Sequence, residues 1–357
     1  MKNALVLSGG GFKGAFQVGA LRELRRRGIT FDYVTGISTG ALQGLLVAMD
    51  AYDELGRLWQ RVADEGPGVI YTSDLLEQNG GVASISFKKV YQLLAPKLSV
   101  KLIWQLLSEK GRKAQLAELV GRVNAIEAFA DNSPLLALLE ELIDTRPIVI
   151  PFQCGAVSLH DGSYYCRGDE DFSQAGEFAR FVKASASMPM VWPSTDVISR
   201  QGGTLLDLVD GGVRNISPLG DAISYINAQD ESDSWRIILI NCESGHLGKA
   251  EPDKWSLLHT AERSLDILLS EVFQGDIDQF LTMNRLALQA HQQGVTLRLN
   301  NGRPLRYFES LIIEPSLPVG GTLDASSKSI YARIEHGEER ALEILSVKAT
   351  DPYWSPQ

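Results

Sequence analysis

Two rhythms of apolar residues alternate over the first fifty positions. Ala4 to Leu7 is a short unbroken apolar run, the pattern of a strand buried on both faces of a parallel sheet. From Ala15 to Arg27 the spacing becomes helical, with Phe16, Ala20, Leu21 and Leu24 on one face and Arg22, Glu23, Arg25, Arg26 and Arg27 elsewhere. The closing arginines suit the negative end of the helix dipole, and Gly28 is placed to cap it. Phe31 to Val34 predicts a second strand and Ala41 to Met49 a second, largely apolar helix. Strand, turn, helix, repeated twice, predicts an α/β fold with a parallel sheet.

The rhythm then changes. Asp53 to Trp59 continues as helix until Gly66-Pro67-Gly68 and Gly80-Gly81 break it. From Phe87 to Lys113, Lys88, Lys89, Lys97, Lys101, Lys110, Arg112 and Lys113 stand against the single acid Glu109, interleaved with Val100, Leu102, Ile103, Trp104, Leu106 and Leu107. We read residues 66–130 as a mainly helical insertion. Its basic stretch predicts an amphipathic helix packed on the core with solvated lysines. The competing expectation is an interfacial cap making transient membrane-surface contact through residues 87–113. Downstream, Ser133 and Pro134 open a helix as N-cap and first residue, and Ile148 to Cys154 predicts a strand. Glu177 to Lys183 predicts a helix; Thr204 to Val209 and Trp235 to Asn241 predict strands. A long helix over Lys254 to Ala290, a last strand at Leu311 to Glu314 and a closing helix at Ser327 to Ser346 complete the reading.

Composition narrows the function classes. The 357 residues, 44% hydrophobic and 22% charged, are ordinary for a globular chain with a sizeable core. A formal charge of −10 argues against nucleic acid as a partner and against simple adsorption to anionic lipid. Cys154, Cys166 and Cys242 fit no metal knuckle and make a poor disulfide framework, so a reducing compartment is expected. The first apolar run is too short for a signal-peptide core, and no stretch approaches the roughly 18 apolar residues of a spanning helix. These features predict a cytoplasmic protein, or one exported without a cleaved signal.

The chemistry sits in three turns. Gly36-x-Ser38-x-Gly40 falls between a strand and a helix, where glycines let a serine hydroxyl stand exposed on a strained backbone. Gly9-Gly10-Gly11-Phe12-Lys13-Gly14 frees successive backbone N–H groups to hold an oxyanion or a phosphate. Literally, Gly9-x-Gly11-x-x-Gly14 is also a dinucleotide fingerprint, but its acidic partner belongs at the end of the second strand, and Asp32 sits at the beginning. A Walker loop is excluded because Ala15 follows Gly14. Asp210-Gly211-Gly212 places an acid at the end of an apolar strand before two permissive glycines, with Asp196 and Asp207 as rivals that lack them. None of His160, His246, His259, His291 and His336 sits in a recognisable motif, which disfavours a Ser–His–acid triad.

Taken together, these pieces resemble the patatin-like phospholipase family. The glycine run matches the family's oxyanion loop, with Lys13 where Arg or Lys is usual, and Gly36-Ile37-Ser38-Thr39-Gly40 its nucleophile elbow. Ala184-Ser185-Ala186-Ser187-Met188-Pro189 resembles its third block, and Asp210-Gly211-Gly212 its aspartate motif. The resemblance covers roughly residues 4–225. It implies a three-layer α/β/α fold with a mostly parallel central sheet and says little about the insertion or the C-terminal third; we expect a catalytic domain over 1–330 carrying the helical insertion, and a C-terminal helix and tail over 331–357. It further implies a Ser38–Asp210 dyad that cleaves fatty-acyl esters of (lyso)phospholipids, with N–H groups of Gly9, Gly10, Gly11 and Phe12 on the oxyanion. Lys13 would help that loop or meet a lipid phosphate, unless it is a plain surface lysine. Gly14, Gly36, Gly40, Gly211 and Gly212 would shape the turns, and no metal or organic cofactor is implied. Two other readings stand beside it: a nonspecific carboxylesterase or acyltransferase on the same dyad, and a phosphate- or nucleotide-binding module using the glycine loop.

Overall fold

The computed structural model describes residues 1–73, 76–79, 82–85, 128–230, 233–244, 247–249, 257–299 and 302–348. Its strands are β1 (Lys2–Leu7), β2 (Tyr33–Gly36), β3 (Leu76–Asn79), β4 (Val82–Ile85), β5 (Phe152–Ser158), β6 (Tyr164–Arg167), β7 (Thr195–Ile198), β8 (Thr204–Asp210), β9 (Trp235–Ile240) and β10 (Glu309–Ile313). Its helices are α1 (Ala15–Arg26), α2 (Thr39–Ala48), α3 (Tyr52–Glu65), α4 (Ser133–Thr145), α5 (Ala175–Ser185), α6 (Leu219–Asn227), α7 (Leu257–Gln292) and α8 (Ser327–Lys348). The basic stretch Phe87 to Lys113 lies outside the described residues. Before it, β3 and β4 pair with each other as an antiparallel ladder apart from the main sheet.

Alternating side chains set the layers. On β1, Leu5 and Leu7 join one apolar cluster and Ala4 and Val6 the other. Ile238 and Ile240 of β9 divide from Ile237 and Leu239 in the same way. The first cluster gathers residues of α1 to α5 and α8, and the second residues of α6 and α7. Helices therefore cover both faces of the sheet, which is why its central strands read as continuous apolar runs. The sheet order is β10-β9-β1-β2-β5-β8-β7, with β6 beside β5. From β10 to β5 every pairing is parallel; β6, β7 and β8 are antiparallel additions. The α/β/α architecture with a mostly parallel sheet is thus the one expected.

Several expected boundaries shift for local reasons. The strand expected from Ile148 begins at Phe152, because the amides of Val149 and Ile150 donate to the Ala48 carbonyl at the end of α2. The α4 N-cap is Asn132, not Ser133; Ser133 is the first helical residue, and its amide and hydroxyl both donate to the Asp131 carboxylate. The second strand begins two residues after Phe31, at Tyr33, since the Asp32 carboxylate turns back to accept the Asn3 amide at 2.8 Å.

Two glycines, Gly19 of α1 and Gly337 of α8, fix how α8 docks on α1. A Cβ on Gly19 would lie 1.9 Å from the Ile334 carbonyl, and one on Gly337 2.0 Å from the Phe16 carbonyl. The two helices cross backbone to backbone. Gly28, at φ +73°, ends α1 as expected.

Candidate active site

The Gly36 to Gly40 turn is dictated by clearances. At Gly36 a Cβ would stand 2.1 Å from the Gly40 carbonyl oxygen, and at Gly40 2.3 Å from that of Leu7. Only glycine lets β1, β2 and the first turn of α2 close this tightly. Between them Ser38 adopts φ +56°, ψ −126°, a strained backbone for a residue with a side chain. Its amide donates to the Ser185 carbonyl at 3.1 Å. Thr39 is the first residue of α2, and its amide has no partner among the described residues.

The glycine loop follows β1 and lies against this turn. A Cβ on Gly9 would be 3.2 Å from the Ser38 Cβ. Of the four expected oxyanion donors, two are engaged elsewhere: the Gly9 amide donates to the Ile216 carbonyl at 3.0 Å and the Phe12 amide to that of Thr322 at 2.9 Å. The amides of Gly10 and Gly11 have no partner among the described residues. Gly11 sits at φ +56°, and Gly14 packs where a Cβ would meet the Thr39 hydroxyl at 2.5 Å. Lys13 is not a surface lysine and is not free to meet a lipid phosphate. It is buried, and its Nζ pairs with Glu243 just past β9. The loop is thus clamped at its far side to β9.

Asp210 reaches the serine from an antiparallel strand. β8 pairs with β5 so that Asp210 stands opposite Ala156, two residues beyond Cys154, the partner of Gly36. There the carboxylate is buried and accepts the Gly212 amide at 2.8 Å, with the Ser38 side chain near enough to favour its charged form. Burial pushes its pKa up from 3.8 to about 6, against the opposite pull of Ser38 and the Gly212 amide. Gly211 lies where a Cβ would stand 2.4 Å from the Gly155 carbonyl. The rivals Asp196 and Asp207 are exposed; Asp196 accepts the Asp207 amide at 2.8 Å, away from Ser38.

The patatin-like phospholipase profile matches residues 5–223, a span that contains all three turns. The chain belongs to the patatin-like phospholipase family. A stretch of 82 residues is 37% identical to the lysophospholipase nte1 of Aspergillus terreus, covering 19% of this chain and 5% of that protein. The fold aligns with VipD from Legionella pneumophila at a TM-score of 0.41 and 14% identity, over 97% of this chain and 67% of that one. It aligns with ExoU of Pseudomonas aeruginosa, solved in complex with SpcU, at a TM-score of 0.33 and 14% identity, over 97% and 51%. The chain therefore spans about half the length of ExoU and one twentieth of nte1.

In this patatin-like chain Ser38 opens onto a cavity of about 120 Å³. Its walls are leucines of α2, α3 and α4, with Trp59, Trp192 and Met188, and Thr322 and Leu323 from the segment before α8. Besides Ser38, polar side chains of Thr39, Gln43, Thr322 and Asn132 line it; Asn132 Nδ2 donates to the Ser187 hydroxyl, and its Oδ1 has no partner among the described residues. His160 and His291 are exposed, and His336 packs on Phe16 and accepts the Ser316 amide. None of these three lines the cavity; His246 and the His259 side chain lie outside what is described. Among the described residues no group of three or more His, Cys, Asp or Glu is placed to hold a metal, and no helix is long and apolar enough to cross a membrane.

Proposed function

We propose that the chain is a lipid acyl hydrolase of the phospholipase A or lysophospholipase type, working through Ser38 and Asp210. The observation that carries this reading is a buried Asp210 carboxylate, its pKa raised to about 6, set beside Ser38 on its strained strand-to-helix turn. A free aspartate near ~3.9 is a poor base, and one nearer the working pH takes a proton more readily. Ser38 Oγ attacks the ester carbonyl carbon as its proton passes to Asp210. The C–O bond breaks, the alcohol leaves with that proton, and an acyl-serine remains. Asp210 then deprotonates water, which attacks the acyl carbon; the fatty acid departs, and Asp210 returns the proton to Ser38.

The oxyanion of each tetrahedral intermediate is held by the amides of Gly10 and Gly11, with Thr39 at the positive end of α2 as a further donor. A cavity walled by leucines favours a fatty-acyl chain over a small acyl group. A fluorophosphonate probe tests the reading directly. Ser38 should be the labelled residue, and Ser38→Ala should abolish ester hydrolysis; an unlabelled Ser38 with full activity in the alanine variant would sink it.

A further inference from the structure

The glycine loop is completed by a part of the chain beyond the family match. Phe12, next to the two unpaired amides, has both of its backbone groups taken. Its N–H donates to the Thr322 carbonyl at 2.9 Å, and its C=O accepts from Arg333 Nη1 at 3.2 Å. Arg333 lies on α8 and is 3% exposed. Its guanidinium also donates to the carbonyls of Val319 at 2.8 Å, Gly321 at 3.1 Å and Asp324 at 2.7 Å, and stands 3.6 Å from the Asp324 carboxylate. A planar fork with five donors serves several carbonyls at once; a lysine, with one flexible ammonium, does not. The segment from Val319 to Asp324 is therefore a strap folded around Arg333. Its Thr322 lies against Gly11, where a Cβ would come 2.6 Å from the Thr322 carbonyl. The interlocked crossing of α1 and α8 keeps the distance between Arg333 and Phe12 fixed.

We propose that Arg333 is a positioning residue for the reaction: through the strap it holds the peptide units around Phe12 so that the Gly10 and Gly11 amides stay turned to the oxyanion. The inference rests on the acyl-hydrolase reading above. Arg333 itself touches no reacting atom. Its effect belongs to the tetrahedral intermediates and the transition states leading to them, because the ground-state ester carries no oxyanion.

The test compares the wild-type enzyme with Arg333→Lys, Gly320→Ala and Ser38→Ala. Gly320 is exposed at φ +86°, and a Cβ there would lie 3.2 Å from Arg333 Nη2, so its alanine variant disturbs the strap while leaving the core intact. Folding is verified by circular dichroism. On a butyryl ester, too short to depend on the depth of the cavity, Arg333→Lys should lower kcat roughly 10- to 100-fold with KM changed less than about threefold. Gly320→Ala should give a smaller loss of the same kind and carries the test if Arg333→Lys does not fold. Affinity for an acyl trifluoromethyl ketone, which forms a tetrahedral oxyanion on the serine, should fall by the same factor as kcat, and affinity for the free fatty acid should not. If Ser38→Ala is inactive and the folded strap variants keep kcat within about twofold, the strap proposal is overturned and the hydrolase reading stands. A loss confined to KM for long chains also overturns it, making the strap a cavity wall only. Full activity in Ser38→Ala removes both.

Discussion

The Asp210 amide donates to the Ser187 carbonyl at 2.9 Å, two residues beyond the Ser185 carbonyl that accepts the Ser38 amide. The proposed nucleophile and the proposed base thus hang from one short piece of backbone at the end of α5. Because the carbonyls do this holding, side-chain changes there should spare catalysis. Ser187→Ala leaves Asn132 Nδ2 without its acceptor in a buried place, a cost of about 1–3 kcal/mol. We expect a lower melting temperature with kcat within a few-fold of wild type, checked by thermal unfolding beside the ester assay.

Activity should follow the ionisation of Asp210. The base must be unprotonated to accept the serine proton, so kcat/KM should fall about tenfold per pH unit below about 6 and level off above it. Asp210→Asn should abolish turnover at every pH. A profile controlled instead near neutrality by a histidine would point to a different base.

The same burial predicts a stability cost. Folding raises the Asp210 pKa from 3.8 to about 6, so the native state binds the proton more tightly than the unfolded chain, and its ionisation opposes folding above that range. The cost is absent below pH ~4 and complete above pH ~6, on the order of 3 kcal/mol. Asp210→Asn should therefore raise the melting temperature at pH 8, with the gain vanishing by pH 4. Parallel melts across pH measure it.

Gly40 and Gly28 separate steric need from conformational need. Gly40→Ala puts a methyl 2.3 Å from a backbone oxygen and should cost about 3 kcal/mol with loss of activity. Gly28 has open space around it and only its φ of +73° to defend, so Gly28→Ala should cost about 1 kcal/mol and leave activity intact. Denaturant melts and the ester assay distinguish the two.

Filling the cavity should discriminate by chain length. Leu138 of α4 is half-buried on its wall, and Leu138→Trp projects a larger ring into about 120 Å³. We expect kcat/KM for long-chain acyl esters to fall at least tenfold while acetyl esters change little. Equal losses on both would place the acyl chain elsewhere.

What the sequence discloses follows from where the chemistry is written. Gly36 and Gly40 are legible because backbone contact leaves no room for a side chain, and β1 and β9 because both of their faces are buried. The edge elements are harder. β6 is half-buried throughout and shows no alternation, β7 buries only Val197, and α6 has nine residues beside the Asn215 to Gly220 turn signals. Hardest are roles carried by main-chain atoms. Which amides of the glycine loop are engaged depends on carbonyls of Ile216 and Thr322, and no side-chain pattern records a carbonyl. Arg333 reads as one more polar residue on an amphipathic helix until its partners are seen. Of the alternatives open for Lys13, its burial leaves the one as a support of the loop, and the partner concerned, Glu243, arrives 230 residues later.

The order of the sheet sets a limit on dissecting this protein. β1 lies between β2 and β9, and β9 begins at Trp235, past the end of the family match at 223. A fragment that kept β1 but ended where that match ends would strip β1 of a partner along its whole length, from Lys2 to Leu7. It would present a bare apolar edge to other copies of itself, the arrangement that seeds intermolecular strand pairing. Such a fragment should come out of cells as aggregate, even with all three motif turns intact in its sequence.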